Sequence, residues 1–285
     1  MDTLTAPLIT AQANTQMTAA VLHGSEDLKI ESVGIPRLAP DEALVRVKVA
    51  LTCGTDLKVW KRGYHARMIT PPAIFGHELA GIIEQVGSDV PRSLQVGTRV
   101  VPSNSAPCGV CLFCRKQRSN LCEDLLFNNG AYAEYIRIPG RIVRQNLLEI
   151  PPHVSYLDAA MAEPLACVLR AIDDTGIQPG DTTVLIGCGP IGLKFIRILA
   201  GRGVNVIALG KRPNQIQSAE RMGARAAFDV SKLSDPVSVV RRMTEGGRGA
   251  DSVIEAVGSP QTWEWAIQMV RCGGTVNLFG GCPRG

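Results

Sequence analysis

Four cysteines, Cys108, Cys111, Cys114 and Cys122, follow one another at the spacing C-x2-C-x2-C-x7-C. Four thiolates in one short loop complete a tetrahedral zinc shell and leave no open position, so this loop would build structure rather than do chemistry. A second set of donors is more scattered: Cys53, His77 and Glu163, with Glu78 directly after His77. A catalytic zinc takes three such protein ligands and keeps its fourth position for water or substrate. The carboxylate could come from Glu163 or from Glu78, and the sequence leaves both open. A third constellation is Gly187-Cys188-Gly189-Pro190-Ile191-Gly192. In a G-x-G-x-x-G turn the first glycine permits the tight bend and the second lets the backbone approach a pyrophosphate. The third lets helix and strand pack closely, while the helix N-terminus attracts the phosphate charge.

These residues need elements to carry them. From residue 18 to about 150 the pattern is one of short strands and turns. Val45, Val47 and Val49 alternate with Arg46 and Lys48, the signature of a half-buried strand, and further strands are expected at 79–86, 98–101 and 131–138. Pro151-Pro152 marks a change. Beyond it, apolar strand patterns at 182–186, 204–209, 226–230, 251–256 and 274–278 alternate with helical stretches such as 190–200 and 261–271. That alternation predicts an α/β fold with a parallel sheet and helices on both faces. The glycine motif then follows a strand and opens a helix, which is the context it requires. Pro190 and Ile191 belong to the same turn, and Val257 and Leu278, at the ends of the fourth and fifth strands, complete the expected cofactor-binding set. The second strand ends in Gly210-Lys211-Arg212. An NAD site normally has an acidic residue there for the ribose 2′-hydroxyl. A small residue followed by two cations suits a 2′-phosphate instead, so NADP(H) is expected over NAD(H).

Cys53-Gly54-Thr55-Asp56, Gly76-His77-Glu78-Leu79-Ala80-Gly81 with Gly87 and Val90 beyond, the four-cysteine loop, Ala162-Glu163-Pro164-Leu165 and the glycine motif occur in one order. Together they closely resemble the zinc-dependent medium-chain alcohol dehydrogenases, and the Glu-Pro-Leu segment looks most like the polyol and threonine dehydrogenase branch. The resemblance covers the chain from about Met17 onward. It implies a GroES-like β-rich catalytic domain and a Rossmann domain, with the active site in the cleft between them. It implies catalytic zinc at Cys53, His77 and Glu163 with Glu78 close by, structural zinc at Cys108, Cys111, Cys114 and Cys122, a small alcohol, polyol or carbonyl substrate, and a homo-oligomer in full-length form. Thr55 would accept the alcohol proton, and Asp56 would orient His77 through its free ring nitrogen. Three departures stand out. Lys58 replaces the histidine many relatives carry, Gly210 replaces the polyol branch's acidic residue, and the sixth Rossmann strand is not present, as in a shortened chain. The expected division is a flexible extension at 1–16, the catalytic domain at 17–156 and the Rossmann domain at 157–285.

The bulk composition narrows the alternatives. A net charge of +4 over 285 residues gives no reason to expect a nucleic-acid or membrane partner, and no apolar run approaches the length of a membrane span. Nine cysteines without a secretory signal point to a reducing, cytoplasmic setting, where cysteines bind metal or fill cores. Cys167, Cys188, Cys272 and Cys282 are expected as small buried hydrophobes. Trp60, Tyr64 and Phe127 could line a substrate pocket or fill the core. Two competing readings are an inactive fragment that keeps zinc and nucleotide, and a zinc-module nucleic-acid binder built on Arg115, Lys116 and Arg118. The intact ligand set counts against the first and the small net charge against the second.

Overall fold

A computed structural model describes residues 16–281. Cys282 and all but the last residue of the expected N-terminal extension lie outside the described residues. The chain divides into two compact units, 1–163 and 164–285, with the boundary in the first turn of a helix.

The first unit is β-rich. In chain order it contains β1 (Gln16–Gly24), β2 (Asp27–Gly34), β3 (Ala43–Leu51), α1 (Gly54–Arg62), β4 (Ala73–Ile74), β5 (Glu78–Val86), β6 (Arg99–Pro102), β7 (Ser105–Ala106), α2 (Leu112–Arg115), β8 (Leu126–Phe127), β9 (Tyr135–Ile138), α3 (Gly140–Asn146), β10 (Leu147–Glu149) and α4 (Tyr156–Ala160). Its main sheet has the order β10-β6-β5-β3-β9, and its strand pairs are antiparallel. Val45 is fully buried while Arg46 and Lys48 face solvent, as the alternation requires. With Ile83, Val100, Ile138 and Ile142 it forms the core of this unit. The expected strand at 131–138 begins only at Tyr135. The reason is local: Gly130 and Ala131 donate to Gly76 O, and Tyr132 donates to Phe75 O. These residues are tied to the turn before β5 instead of to a continuous ladder.

The second unit begins in α5 (Ala162–Thr175). It continues through β11 (Thr182–Ile186), α6 (Pro190–Gly201), β12 (Asn205–Gly210), α7 (Pro213–Arg221), β13 (Ala226–Asp229), α8 (Pro236–Arg242), β14 (Ala250–Glu255), α9 (Pro260–Met269) and β15 (Val270–Leu278). All strand pairs are parallel, in the order β13-β12-β11-β14-β15. Alternate strand residues feed two cores. Leu185, Val206, Ala208 and Ile254 pack with α5, α6 and α7, while Val184, Ile186, Ile207, Leu209 and Val253 pack with α8 and α9. Burial on both faces is why these strands read as continuous apolar runs.

Two of the non-motif cysteines depart from expectation. Cys188 is buried, but Cys167 and Cys272 are exposed. On α5 the buried positions are Pro164, Val168, Ala171, Ile172 and Thr175, and Cys167 falls off that stripe. Cys272 sits on β15, the terminal strand of the described sheet, where burial is partial along its length.

Candidate metal centre and nucleotide site

Strand register brings the scattered donors together. Leu51, the last residue of β3, pairs with Glu78, the first of β5. Cys53 lies two residues beyond the end of β3, and His77 lies one residue before β5, so pairing these two strand ends places the side chains side by side. One ligand atom each from Cys53, His77 and Glu78 lies within 4.8 Å of the other two. His77 and Glu78 are both 5% exposed, and Cys53 is half-buried. Glu163, the second residue of α5, is not part of this close group.

Cys53 also caps α1. Its Sγ accepts the Thr55 amide at 3.4 Å, and Asp56 Oδ2 accepts the Cys53 amide at 2.9 Å. This reciprocal arrangement satisfies helix N-terminal amides and directs their partial positive charge at the sulfur. Asp56 Oδ1 lies 3.2 Å from His77 Nδ1. The two are not aligned as a hydrogen bond, and neither atom has another hydrogen-bond partner among the described residues. Burial alone would raise the Asp56 pKa, but His77, Tyr132 and the Cys53 amide outweigh it and hold the carboxyl below the usual range. Burial alone would lower the His77 pKa, yet Asp56 and Cys53 push it up to about 10. A thiolate, an imidazole and a carboxylate converging in this way have the donor chemistry of a zinc site.

The four-cysteine loop fits zinc by its sulfur spacing. Cys108 and Cys114 Sγ are 3.9 Å apart, Cys111 and Cys114 3.5 Å, and Cys111 and Cys122 4.0 Å. A tetrahedron with metal–sulfur bonds of about 2.3 Å has edges of about 3.8 Å. All four cysteines are free. Cys108 Sγ accepts the Val110 and Cys111 amides, and Cys122 Sγ accepts the Cys108 amide. Amide donors pull the Cys111 thiol down to about 6, toward the thiolate a metal needs. The lobe has little else to hold it: no residue of α2 is buried, and Val110, Leu112 and Leu121 are exposed.

In the second unit the glycine motif spans the turn from β11 into α6. Gly187 has φ 110°, and a Cβ there would come within 2.9 Å of Val257. A Cβ on Gly192 would lie 1.9 Å from Gly187 O. Gly189 differs, because its Cβ would meet nothing within 4 Å. Turn, open approach and close packing thus fall on the glycine expected for each. Gly189 is the N-cap of α6, and Pro190 occupies its first turn. Gly210 is buried against Cys188 and Ile216, with exposed Lys211 and Arg212 following. Lys211 also lines a cleft of about 480 Å³ with Leu233, Gln261 and Trp265. Val257 and Leu278 are exposed at the ends of β14 and β15. Trp60 packs on the core cluster of Leu22, Val59, Ile69 and Phe75. Tyr64 is exposed, and Phe127 lies under the Arg67 guanidinium.

Residues 39–151 match the alcohol dehydrogenase GroES-like domain family, and residues 190–285 match the zinc-binding dehydrogenase family. The chain is 33% identical over 272 residues to the sorbitol dehydrogenase of Bacillus subtilis strain 168, covering 93% of this chain and 75% of that protein. It belongs to the zinc-dependent medium-chain alcohol and polyol dehydrogenases. A proposed zinc-binding dehydrogenase from Sinorhizobium meliloti 1021, bound to NADP, superposes with a TM-score of 0.85 at 32% identity, covering 95% of this chain and 79% of that one. The rspB alcohol dehydrogenase of E. coli CFT073, complexed with NADH, gives 0.81 at 26% identity, covering 92% and 76%. The family assigns the β-rich unit as GroES-like and the parallel sheet as Rossmann-like, and identifies the chain as a zinc-dependent oxidoreductase that uses a nicotinamide cofactor. No helix among the described residues is long and apolar enough to cross a membrane.

Sequence reasoning missed one residue at the metal centre. Tyr132 Oη lies 2.7 Å from Asp56 Oδ2. Its only sequence signal was a tyrosine in an apolar stretch, which is indistinguishable from core packing.

Proposed function

We propose that this chain oxidises a small alcohol or polyol, or reduces the corresponding carbonyl, with NADP(H) preferred over NAD(H). The observation that carries the reading is the convergence of Cys53, His77 and Glu78 donor atoms within 4.8 Å of one another. Cys53, His77 and one carboxylate would hold zinc, with Glu78 nearest in this geometry and Glu163 the alternative. Cys108, Cys111, Cys114 and Cys122 would hold the second zinc. When bound, the catalytic zinc supplies a Lewis acid to the substrate oxygen, and the nicotinamide supplies the hydride acceptor or donor.

The chain's own residues do the rest. Thr55, in the first turn of α1, receives the hydroxyl proton and passes it to solvent as the carbonyl forms. Asp56 keeps His77 turned toward the metal. Exposed Lys58 stands where a histidine relay is absent and leaves that end of the proton path to solvent. Gly189 and the α6 N-terminus receive the pyrophosphate, and Pro190, Ile191 and Gly192 fix the turn. Gly210, Lys211 and Arg212 receive the 2′-phosphate, Val257 and Leu278 border the bound cofactor, and the cleft beside Lys211 offers room for the adenosine half. The sorbitol dehydrogenase relative supports a polyol as substrate.

The test is oxidation of a panel of polyols and simple alcohols, followed by NADPH absorbance. Turnover by the wild type and its loss in Cys53→Ser is the expected result. A wild type that carries zinc and binds cofactor yet turns over nothing in either direction would remove the reading.

A further inference from the structure

The metal centre rests on two chain segments far apart in sequence: the α1 N-terminus, with Cys53 and Asp56, and the turn into β5, with Gly76, His77 and Glu78. Tyr132 touches both. Its hydroxyl lies 2.7 Å from Asp56 Oδ2 and 3.0 Å from Leu51 O. A phenol has one proton and both neighbours accept, so the shorter contact, to the carboxylate, is the stronger one. Its ring lies against Gly76, where a Cβ would come within 2.8 Å of three ring carbons, and stacks edge-on with Phe75 at 5.0 Å. Gly76 has φ 91°, so the backbone before His77 bends in a way that leaves space for the ring. The main chain of the same segment is pinned as well. Tyr132 N donates to Phe75 O at 3.0 Å, and Ala20 N donates to Tyr132 O at 2.8 Å.

Asp56 Oδ2 therefore takes the Cys53 amide and the Tyr132 hydroxyl, while Oδ1 is left facing His77 Nδ1. Two donors hold Oδ2, which leaves Oδ1 on the imidazole side. The geometry points to Tyr132 as a positioning residue of the catalytic metal centre: its hydroxyl holds Asp56, whose Oδ1 lies 3.2 Å from His77 Nδ1 as a charge partner, and its ring sets the turn that carries His77. This rests on the reading of Cys53, His77 and Glu78 as a zinc site. Removing a partner behind a metal-ligating histidine typically costs tenfold or more in metal affinity.

Tyr132→Phe separates the two roles, since it keeps the ring over Gly76 and deletes only the hydroxyl. The measurement is zinc release to a competing chelator. The four-cysteine site serves as internal reference, and Cys53→Ser assigns which release belongs to the catalytic site. The wild type is read first. If it binds zinc only at the four cysteines, the metal-centre reading fails, and this inference fails with it. If both sites fill, Tyr132→Phe should weaken retention at the catalytic site about tenfold, leave the four-cysteine site unchanged, and add nothing further in an Asp56→Asn background. Wild-type retention in Tyr132→Phe would overturn the inference. So would an equal loss with and without Asp56, because the hydroxyl would then not act through that carboxylate.

Discussion

Carboxylates and cations at single positions decide how the two sites work. Glu78 lies in the close donor group and Glu163 does not. Glu78→Gln should therefore cost more catalytic-site zinc than Glu163→Gln when metal content is measured after dialysis against a weak chelator. The reverse order would give Glu163 the ligand role that the family resemblance implies. At the nucleotide end, Arg212→Gln and Lys211→Gln should each weaken NADPH binding by about tenfold, the size expected for one charge-assisted contact, and leave NADH nearly unchanged. Fluorescence titration with both cofactors reads this directly, and equal effects on the two would refute the 2′-phosphate assignment. Gly210 adds a packing constraint that sequence could not show. A Cβ there would lie 3.0 Å from Ile216 Cδ1 and 3.2 Å from Cys188, so a side chain would require these neighbours to give by a few tenths of an ångström. Cys53, His77 and Glu78 were legible one by one as donor types. Their convergence followed only from the family resemblance, because physically it depends on the pairing of Leu51 with Glu78 across the sheet.

At the scale of elements, the parallel strands were the most legible part of the chain, since burial on both faces leaves unbroken apolar runs such as Thr182–Ile186. The segment at 131–134 was misread as strand because its hydrogen bonds go to the turn at Phe75 and Gly76, a partner that no local pattern announces. One polar clamp ties the second sheet together. Asp251, on β14, accepts the Thr182 amide at 2.7 Å through Oδ2 and the Arg271 Nε at 2.7 Å through Oδ1. The Thr182 amide first, and Arg271 second, lower the Asp251 pKa. A carboxylate with a depressed folded-state pKa stabilises the fold above its unfolded value of about 3.9, and that contribution disappears as pH falls through the lower folded value. Asp251→Asn should thus cost about 1 kcal/mol near neutral pH, discounted because the pair is partly exposed. The wild type and the variant should converge in acid. Thermal unfolding across pH measures this, and a difference that persists at the lowest pH would contradict it. The four-cysteine lobe is held differently. With no buried residue in α2, zinc at the four sulfurs would be its main support under the proposed reading, so Cys114→Ser should raise amide exchange across 108–122 while β11–β15 stay protected.

For the molecule as a whole, each unit has its own core and its own candidate site: the converging Cys53, His77 and Glu78 on the β-rich unit, the glycine-rich turn on the parallel sheet. The change of pattern at Pro151-Pro152 placed the expected boundary at 156/157, and the compact units divide at 163/164, inside the first turn of α5. In the proposed reaction a hydride passes directly from a carbon of the substrate to NADP. The measurement that tests it most directly uses a polyol deuterated at its carbons, with zinc-loaded protein and NADP, followed by mass spectrometry of the reduced cofactor. The account predicts that each NADPH formed carries one deuterium from the substrate. NADPH formed without deuterium, or no reduction by protein with both zinc sites filled, would contradict it.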